Sequence, residues 1–262
     1  MEIIHLSEGV QIKTVSETDT EGVFEIEGLY TGYGLTIGNS LRRTLLSSLP
    51  GAAITQIKIK GAGHEFATLP GVMEDMVEIA LNLKKVRLVA HTNEPQALSL
   101  TAKGEREVSA RDIKTNAQVE VVNPDAHIAT LTTKGAELEI ELTVERGLGY
   151  LPVDARTMEK LPIGTVAIDA MFSPVTRVTY SVENMRVGER TDYNRLRIVV
   201  ATDGTITPSS ALHKAANILR DHFEKISVLE VRKAPDHPMV AEEKPKTKPR
   251  TSRAKKPSAS KP

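Results

Sequence analysis

Two adjacent arginines, Arg42 and Arg43, interrupt the run GLTIGNSLRRTLLSSLPG at residues 34–51, and three carboxylates, Glu74, Asp75 and Glu78, crowd a short stretch further on. A guanidinium is a planar fork of donors, less strongly hydrated than an ammonium, so it suits a protein interface where carboxylates or backbone carbonyls must be gripped. Three close carboxylates can hold a divalent cation. These three also fall where a helix would begin after Pro70, and there the positive end of the helix dipole accounts for them without a metal. GLGY at Gly147–Tyr150 has two glycines of a dinucleotide loop but lacks the third and is followed by no helical pattern, so it reads as a tight turn. The seven histidines contain no H-E-x-x-H pair. No nucleophile, base and orienting group recur together, so neither an independent enzyme nor a metal or cofactor in this chain is expected.

What must position these groups is a mixture of strands and helices. Val23–Glu27 (VFEIE), Ile57–Lys60 (IKIK) and Leu138–Glu145 (LEIELTVE) alternate apolar with polar residues, as half-buried strands do. The opening run has helical spacing, with Ile37, Leu41, Thr44, Leu45, Ser48 and Leu49 in one sector and Asn39, Arg43 and Ser47 in another. A second helix carries Val72, Met76, Ile79 and Leu83 on one face. A third starts at Thr207 and Pro208, an N-cap and first-turn pair, and carries Leu212, Ala216, Leu219, Phe223 and Ile226. Gly38, Ser40, Ser47 and Ser48 are small enough to let another helix approach closely. The bland reading of the first helix is ordinary core with a solvated arginine face; the sharper one is two interfaces on one helix. The fold class expected is α+β.

At 262 residues and 40% hydrophobic content, the chain has material for a packed core, and with no cysteine it can form neither disulfides nor thiolate metal sites. The start, MEIIHLSEGVQIKT, is not a basic segment followed by an apolar run, and no long apolar stretch follows, so a soluble cytoplasmic protein with no membrane association is expected. The net charge of zero hides an asymmetry: Lys233–Pro262 holds nine Lys/Arg against three Asp/Glu, leaving the body at about −6 and the tail at about +6. From Lys244 the tail is Pro, Lys, Ser and Thr with almost nothing to bury, the composition of a disordered segment. It is read either as a solubilising appendage or as a weak, sequence-independent contact with DNA phosphates. A free-standing nucleic-acid-binding dimer is the competing function class. The acidic body and 3% aromatic content argue against a base-stacking surface.

YGLTIGNSLRRTLLSSLPGAAIT, then HEFATLPGVMEDMVEIALNLKKV, ERGLGYLP, IDAMFSPVTRVTY and ERTDYNRLRI together resemble the α subunit of bacterial RNA polymerase, in that family's order and over roughly Thr14–Arg232. The resemblance implies a non-catalytic subunit of a nucleotidyltransferase: a homodimer on which the β and then the β′ subunit are built. It implies a dimerisation domain made from both chain ends, about 1–50 with 168–232, a β-rich domain inserted at 51–167, and a tail at 233–262. It places dimer contacts on Ile37, Leu41, Leu45, Leu219 and Phe223, β contacts on Arg43, His64, Glu65 and Thr68, and β′ contacts on Lys84 and Arg190. Many members of the family continue into a C-terminal helix-hairpin-helix domain that binds upstream promoter DNA. This sequence has no such pattern, so recognition of that kind is not expected of it.

Overall fold

The alternating and helical patterns become a strand-rich α+β fold. The structure, a computed structural model, describes residues 9–155, 162 and 164–229; the basic tail at 233–262 lies outside them. Strands β1 (Gln11–Glu17) and β2 (Glu21–Leu29) precede helix α1 (Tyr33–Ser47) and β3 (Pro50–Ile59). After α2 (Met76–Leu83) come β4 (Leu88–Ala90), β5 (Gln96–Lys103), β6 (Arg106–Ser109), β7 (Ile113–Lys114), β8 (Val119–Val121), β9 (His127–Leu131) and β10 (Glu137–Leu148). Short strands β11 (Tyr150–Leu151), β12 (Thr165–Ala167) and β13 (Ala170–Met171) lead to the hairpin of β14 (Val175–Val187) and β15 (Arg190–Thr202), and then to α3 (Pro208–Ser227).

Residues from early and late in the sequence share one antiparallel sheet, in the order β1-β2-β15-β14. The period-2 pattern sends Phe24, Ile26, Leu196, Ile198 and Val200 to one face, where α1 and α3 bury them in a common core. The opposite face is a ladder of charges: Arg195 and Lys13 both meet Glu27, Arg197 meets Glu25 at 3.2 Å, and Arg177 meets Glu21 at 3.2 Å. Glycine seats α1 on this sheet. A Cβ at Gly34 would lie 2.6 Å from Val182 Cγ1, and one at Gly38 would lie 2.8 Å from Tyr180 Cδ2. The close approach expected at Gly38 is therefore made by the sheet and not by another helix. The N-terminus of α1 has no side-chain cap of its own; Asn194 Oδ1, from β15, accepts from the N–H of Gly32 at 2.9 Å across 162 residues of sequence.

The second core belongs to residues between those ends. Its sheet runs β7-β5-β10-β3-β4-β8, with β12 also against β3. Leu138, Ile140, Leu142 and Val144 of β10 point into it and meet Met76, Ile79 and Leu83 of α2 in the same cluster. Each such side chain contributes about 1.5–3 kcal/mol of transfer free energy before ordering costs. The cap of α2 is local: Asp75 accepts from the N–H of Glu78 at 2.8 Å. Glu74 turns away to β9, where it accepts from the N–H and hydroxyl of Thr130 and pairs with His127 Nε2 at 2.9 Å.

Candidate functional site

The two arginines of α1 separate at once. Arg42 Nε donates to the carbonyl of Val178 at 3.3 Å, so it ties the helix to β14. Arg43 is exposed and has no carboxylate within ion-pair distance among the described residues. The hydroxyls of Ser40, Thr44 and Ser47 each donate to the backbone carbonyl four residues earlier, and none accepts from the Arg43 guanidinium among the described residues. Arg43 is thus a charged donor set facing outward from a helix whose other side is anchored.

The apolar sector of α1 is spent inside the chain. Leu41 is 5% exposed and Leu45 is 0% exposed, both packed in the core under the sheet. A partner therefore has almost no surface of these two side chains to cover, and within the single chain their role is to fix where α1 lies. Ile37 is half-buried and keeps some surface. Helix α3 behaves differently. The side chains it buries are Pro208, Ala211 and Ala215, with Leu212 and Leu219 half-buried, whereas the expected stripe continues through Phe223 at 62% and Ile226 at 64% exposed. Every residue from Arg220 to Ser227 faces outward. The small residues bring α3 against its own chain, and the large ones are left uncovered.

His64, Glu65 and Thr68 are exposed in the loop before α2, where His64 Nδ1 accepts from the N–H of Phe66 at 3.3 Å. Phe66, between Glu65 and Thr68, and Met73, five residues after Thr68, were passed over in the sequence and stand out as exposed large apolar groups. Lys84, just past α2, reaches Asp169 at 3.4 Å and lies 5.6 Å from the centre of the Tyr150 ring. The Val153 N–H, the Tyr150 hydroxyl and Lys84 together hold the Asp169 carboxyl below its ordinary value, and Asp169 in turn pushes the Tyr150 hydroxyl up. Leu46 of α1, Tyr150 and Met171 border one cleft, and a Cβ at Gly149 would sit 3.6 Å from the Ser47 carbonyl. Lys84 is therefore brought, through Tyr150, to the end of the helix that carries Arg43. Leu148, Tyr150 and Met171 are exposed there; for the first two the signal is that they flank Gly149 within GLGY, and for Met171 the sequence carries none.

Arg190 is held at the other end of α1. Its guanidinium makes two bonds to Asp192, at 3.0 and 2.7 Å, and lies over the rings of Tyr30 and Tyr193. Asp192, bonded by Arg190 and by the Thr31 hydroxyl, is held well below the usual carboxylate range, and Arg190 is raised in turn. About half of the Arg190 side chain stays open to solvent. The loop of His64 makes no hydrogen bond with Arg43, Lys84 or Arg190 among the described residues, so the expected contact residues form several patches and not one pocket.

The chemistry-bearing alternatives resolve into structure. Asp75 and Glu74 are occupied by the cap and by β9, and no group of three His, Asp or Glu able to hold a metal is found among the described residues. GLGY is the turn between β10 and β11, with Gly149 at φ 60° and its carbonyl accepting from the N–H of Phe172 at 2.8 Å. No described helix is long and apolar enough to cross a membrane.

Comparison with known proteins adds two findings. The family model described as the RNA polymerase Rpb3/RpoA insert domain matches residues 57–173. A DNA-directed RNA polymerase subunit alpha of Symbiobacterium thermophilum is 51% identical over 215 residues, covering 82% of this chain and 68% of the relative. Its counterparts from Alkaliphilus oremlandii and Moorella thermoacetica are 50% and 48% identical, covering 67% and 72% of their own lengths.

Proposed function

The chain belongs to the family of bacterial DNA-directed RNA polymerase α subunits, and on that premise we propose that it is the homodimeric scaffold on which β and β′ assemble in the cytoplasm. In this reading the nucleotidyl transfer is carried out by the large subunits, and this chain lends no catalytic group or cofactor. The observation that carries the proposal is the division of labour between α1 and α3: an apolar stripe left uncovered on α3, and an unpaired guanidinium facing outward on α1. The sheet of both chain ends with its two helices then acts as the dimerisation domain, and 51–167 is the insert. Leu219, Phe223 and Ile37 meet their counterparts across a two-fold axis, where a self-complementary patch closes the assembly at two copies. Arg43, with His64, Glu65 and Thr68, receives β, and Lys84 and Arg190 face β′.

One pair of variants tests this. Phe223→Glu places a charge in the proposed contact while leaving the core of the single chain untouched, so light scattering at micromolar concentration should report a folded monomer. Arg43→Ala should stay a dimer but capture purified β more weakly, by about 2–5 kcal/mol for a buried charged contact. A Phe223→Glu protein that is still dimeric, or an Arg43→Ala protein that binds β as tightly as the parent, overturns the corresponding half of the proposal.

A further inference from the structure

Between the two cores lies a cleft of about 290 Å³, walled by Pro50 and Ala52 at the start of β3, by Pro174, and by the segment before α3. Three side chains on its wall can carry positive charge: His91 after β4, Arg146 on β10 and Lys214 on α3. None of its lining residues is acidic. On the polar faces of both sheets Lys58, Lys60, Lys103, Arg177, Arg195 and Arg197 each have a carboxylate within ion-pair distance. His91, Arg146 and Lys214 have none among the described residues. The nearby carboxylate of Asp203 is already bonded by the N–H and hydroxyl of Thr205, at 3.0 and 2.6 Å, and pairs with Arg87. Arg146 is oriented without being neutralised: its Nη1 donates to the amide oxygen of Asn93 at 3.0 Å.

Like charges gathered in a walled recess focus the field inside it and raise the local concentration of anions. The guanidinium fork matches the oxygens of a phosphate, and lysine adds a point charge. The volume lies at the lower end of small-ligand sites, which run from roughly 300 Å³ upward, so the recess fits a compact anion better than a stretch of polymer. We infer that this cleft binds a small free polyanion of the oligophosphate class, with Arg146 and Lys214 as the main contacts. Because Arg146 stands on the sheet of one core and Lys214 on the helix of the other, the ligand links the two and stabilises the folded chain by mass action.

Inorganic pyrophosphate is the probe, titrated into the full 262-residue chain and followed by NMR of the arginine Nε–H and backbone amides. Saturable one-to-one binding with shifts at Arg146 and around Lys214 is expected, together with a rise in melting temperature. The Arg146→Gln/Lys214→Gln double variant changes only exposed side chains and should bind about 10- to 100-fold more weakly. The basic tail is the same in both proteins, so the difference reports the cleft. Equal binding by parent and variant, or shifts confined to the tail, overturns the inference. A short DNA duplex or a polyglutamate peptide that occupies the cleft when pyrophosphate does not would replace the free ligand by a macromolecule, and overturns it too. Lys214→Gln alone, on an open helix surface, keeps the test decisive if the double variant misfolds.

Discussion

The two cores solve the same problem in opposite ways. The inner one, between β3 and β13, closes on itself: α2 buries Met76, Ile79 and Leu83 completely and is capped by the residue before it. The outer one, built from early and late residues, is completed only over long sequence distances. Its helix α1 is capped by Asn194, its sheet joins β2 to β15, and α3 ends with its largest apolar side chains in solvent. A helix whose apolar stripe is only half covered is unfinished as a monomer, whereas the stripe of α2 is fully covered and the exposed apolar groups of its layer, Phe66, Met73 and Leu81 among them, stand outside that stripe. In the proposed dimer the second copy covers the outer layer, not the inner one.

The strongest test of that contrast deletes one buried leucine from each core. Leu45→Ala and Leu83→Ala should each cost about 2–5 kcal/mol, since both side chains are fully buried and neither site can collapse freely. Their effect on assembly should part. Leu45 fixes α1, so its loss should also weaken the dimer and the capture of β, whereas Leu83→Ala should leave dimerisation at its parental concentration dependence. Denaturant unfolding and sedimentation measure the two quantities separately. Identical losses of dimer in both variants would mean that the outer layer is not the contact.

A middle-sized effect concerns the inner core alone. Burial by itself would raise the Glu74 carboxyl, but the bonds from Thr130 and His127 outweigh it and hold the group below its ordinary value. A carboxylate depressed in the folded state lends stability that is present above its unfolded pKa and is lost as the pH falls through the folded one. Glu74→Gln should therefore cost about 1–3 kcal/mol at neutral pH and progressively less in acid. Thermal unfolding across the acidic range would show the two curves converging. Parallel curves would remove Glu74 from the acid sensitivity of this core.

Where the sequence could be read and where it could not follows from the range of the interactions. The strands over Val23–Glu27 and Leu138–Glu145 and the α2 face of Met76, Ile79 and Leu83 were legible because alternation and helical spacing act within a few residues. The acidic start of α2 was legible as a dipole effect, but that Asp75 in particular caps it was not. What covers Leu41 and Leu45 inside the chain was not legible, because a stripe shows that a face is apolar and not what lies against it; the sheet that buries them includes β14 and β15, more than a hundred residues later. Gly38 was read as room for a helix and turned out to be room for Tyr180. The partner of Arg42 is a backbone carbonyl, and the partners of Arg190 include two tyrosine rings. Neither leaves a pattern in the chain. The exposed Leu148 and Tyr150 were hidden because a turn glycine reports backbone geometry and says nothing of what its neighbours present, and Met171 because it meets Tyr150 only by strand pairing.

The smallest effect distinguishes local from distant capping. Asn194 is 6% exposed, accepts from the N–H of Gly32 and donates to Asn184 Oδ1 at 3.2 Å, so Asn194→Ala removes the side-chain cap that the described residues give the first turn of α1. Asp75→Ala removes the corresponding group from α2. Each should cost about 0.5–2 kcal/mol, the usual range for a lost cap. What differs is where the loss is felt. The Asp75 cap spans three residues, so its removal should speed amide exchange in the first turn of α2 and nowhere else. The Asn194 cap joins the β14–β15 hairpin to α1, next to the Arg190–Asp192 pair that Thr31 also holds. Its removal should speed exchange at Gly32 and Gly34 and in the hairpin together, while Asn194→Asp, which keeps the acceptor and sets a negative charge at a helix N-terminus, should restore most of the protection. Exchange confined to α1 in Asn194→Ala would show that the outer layer is held by its sheet alone, and the distant cap would then be no different in kind from the local one.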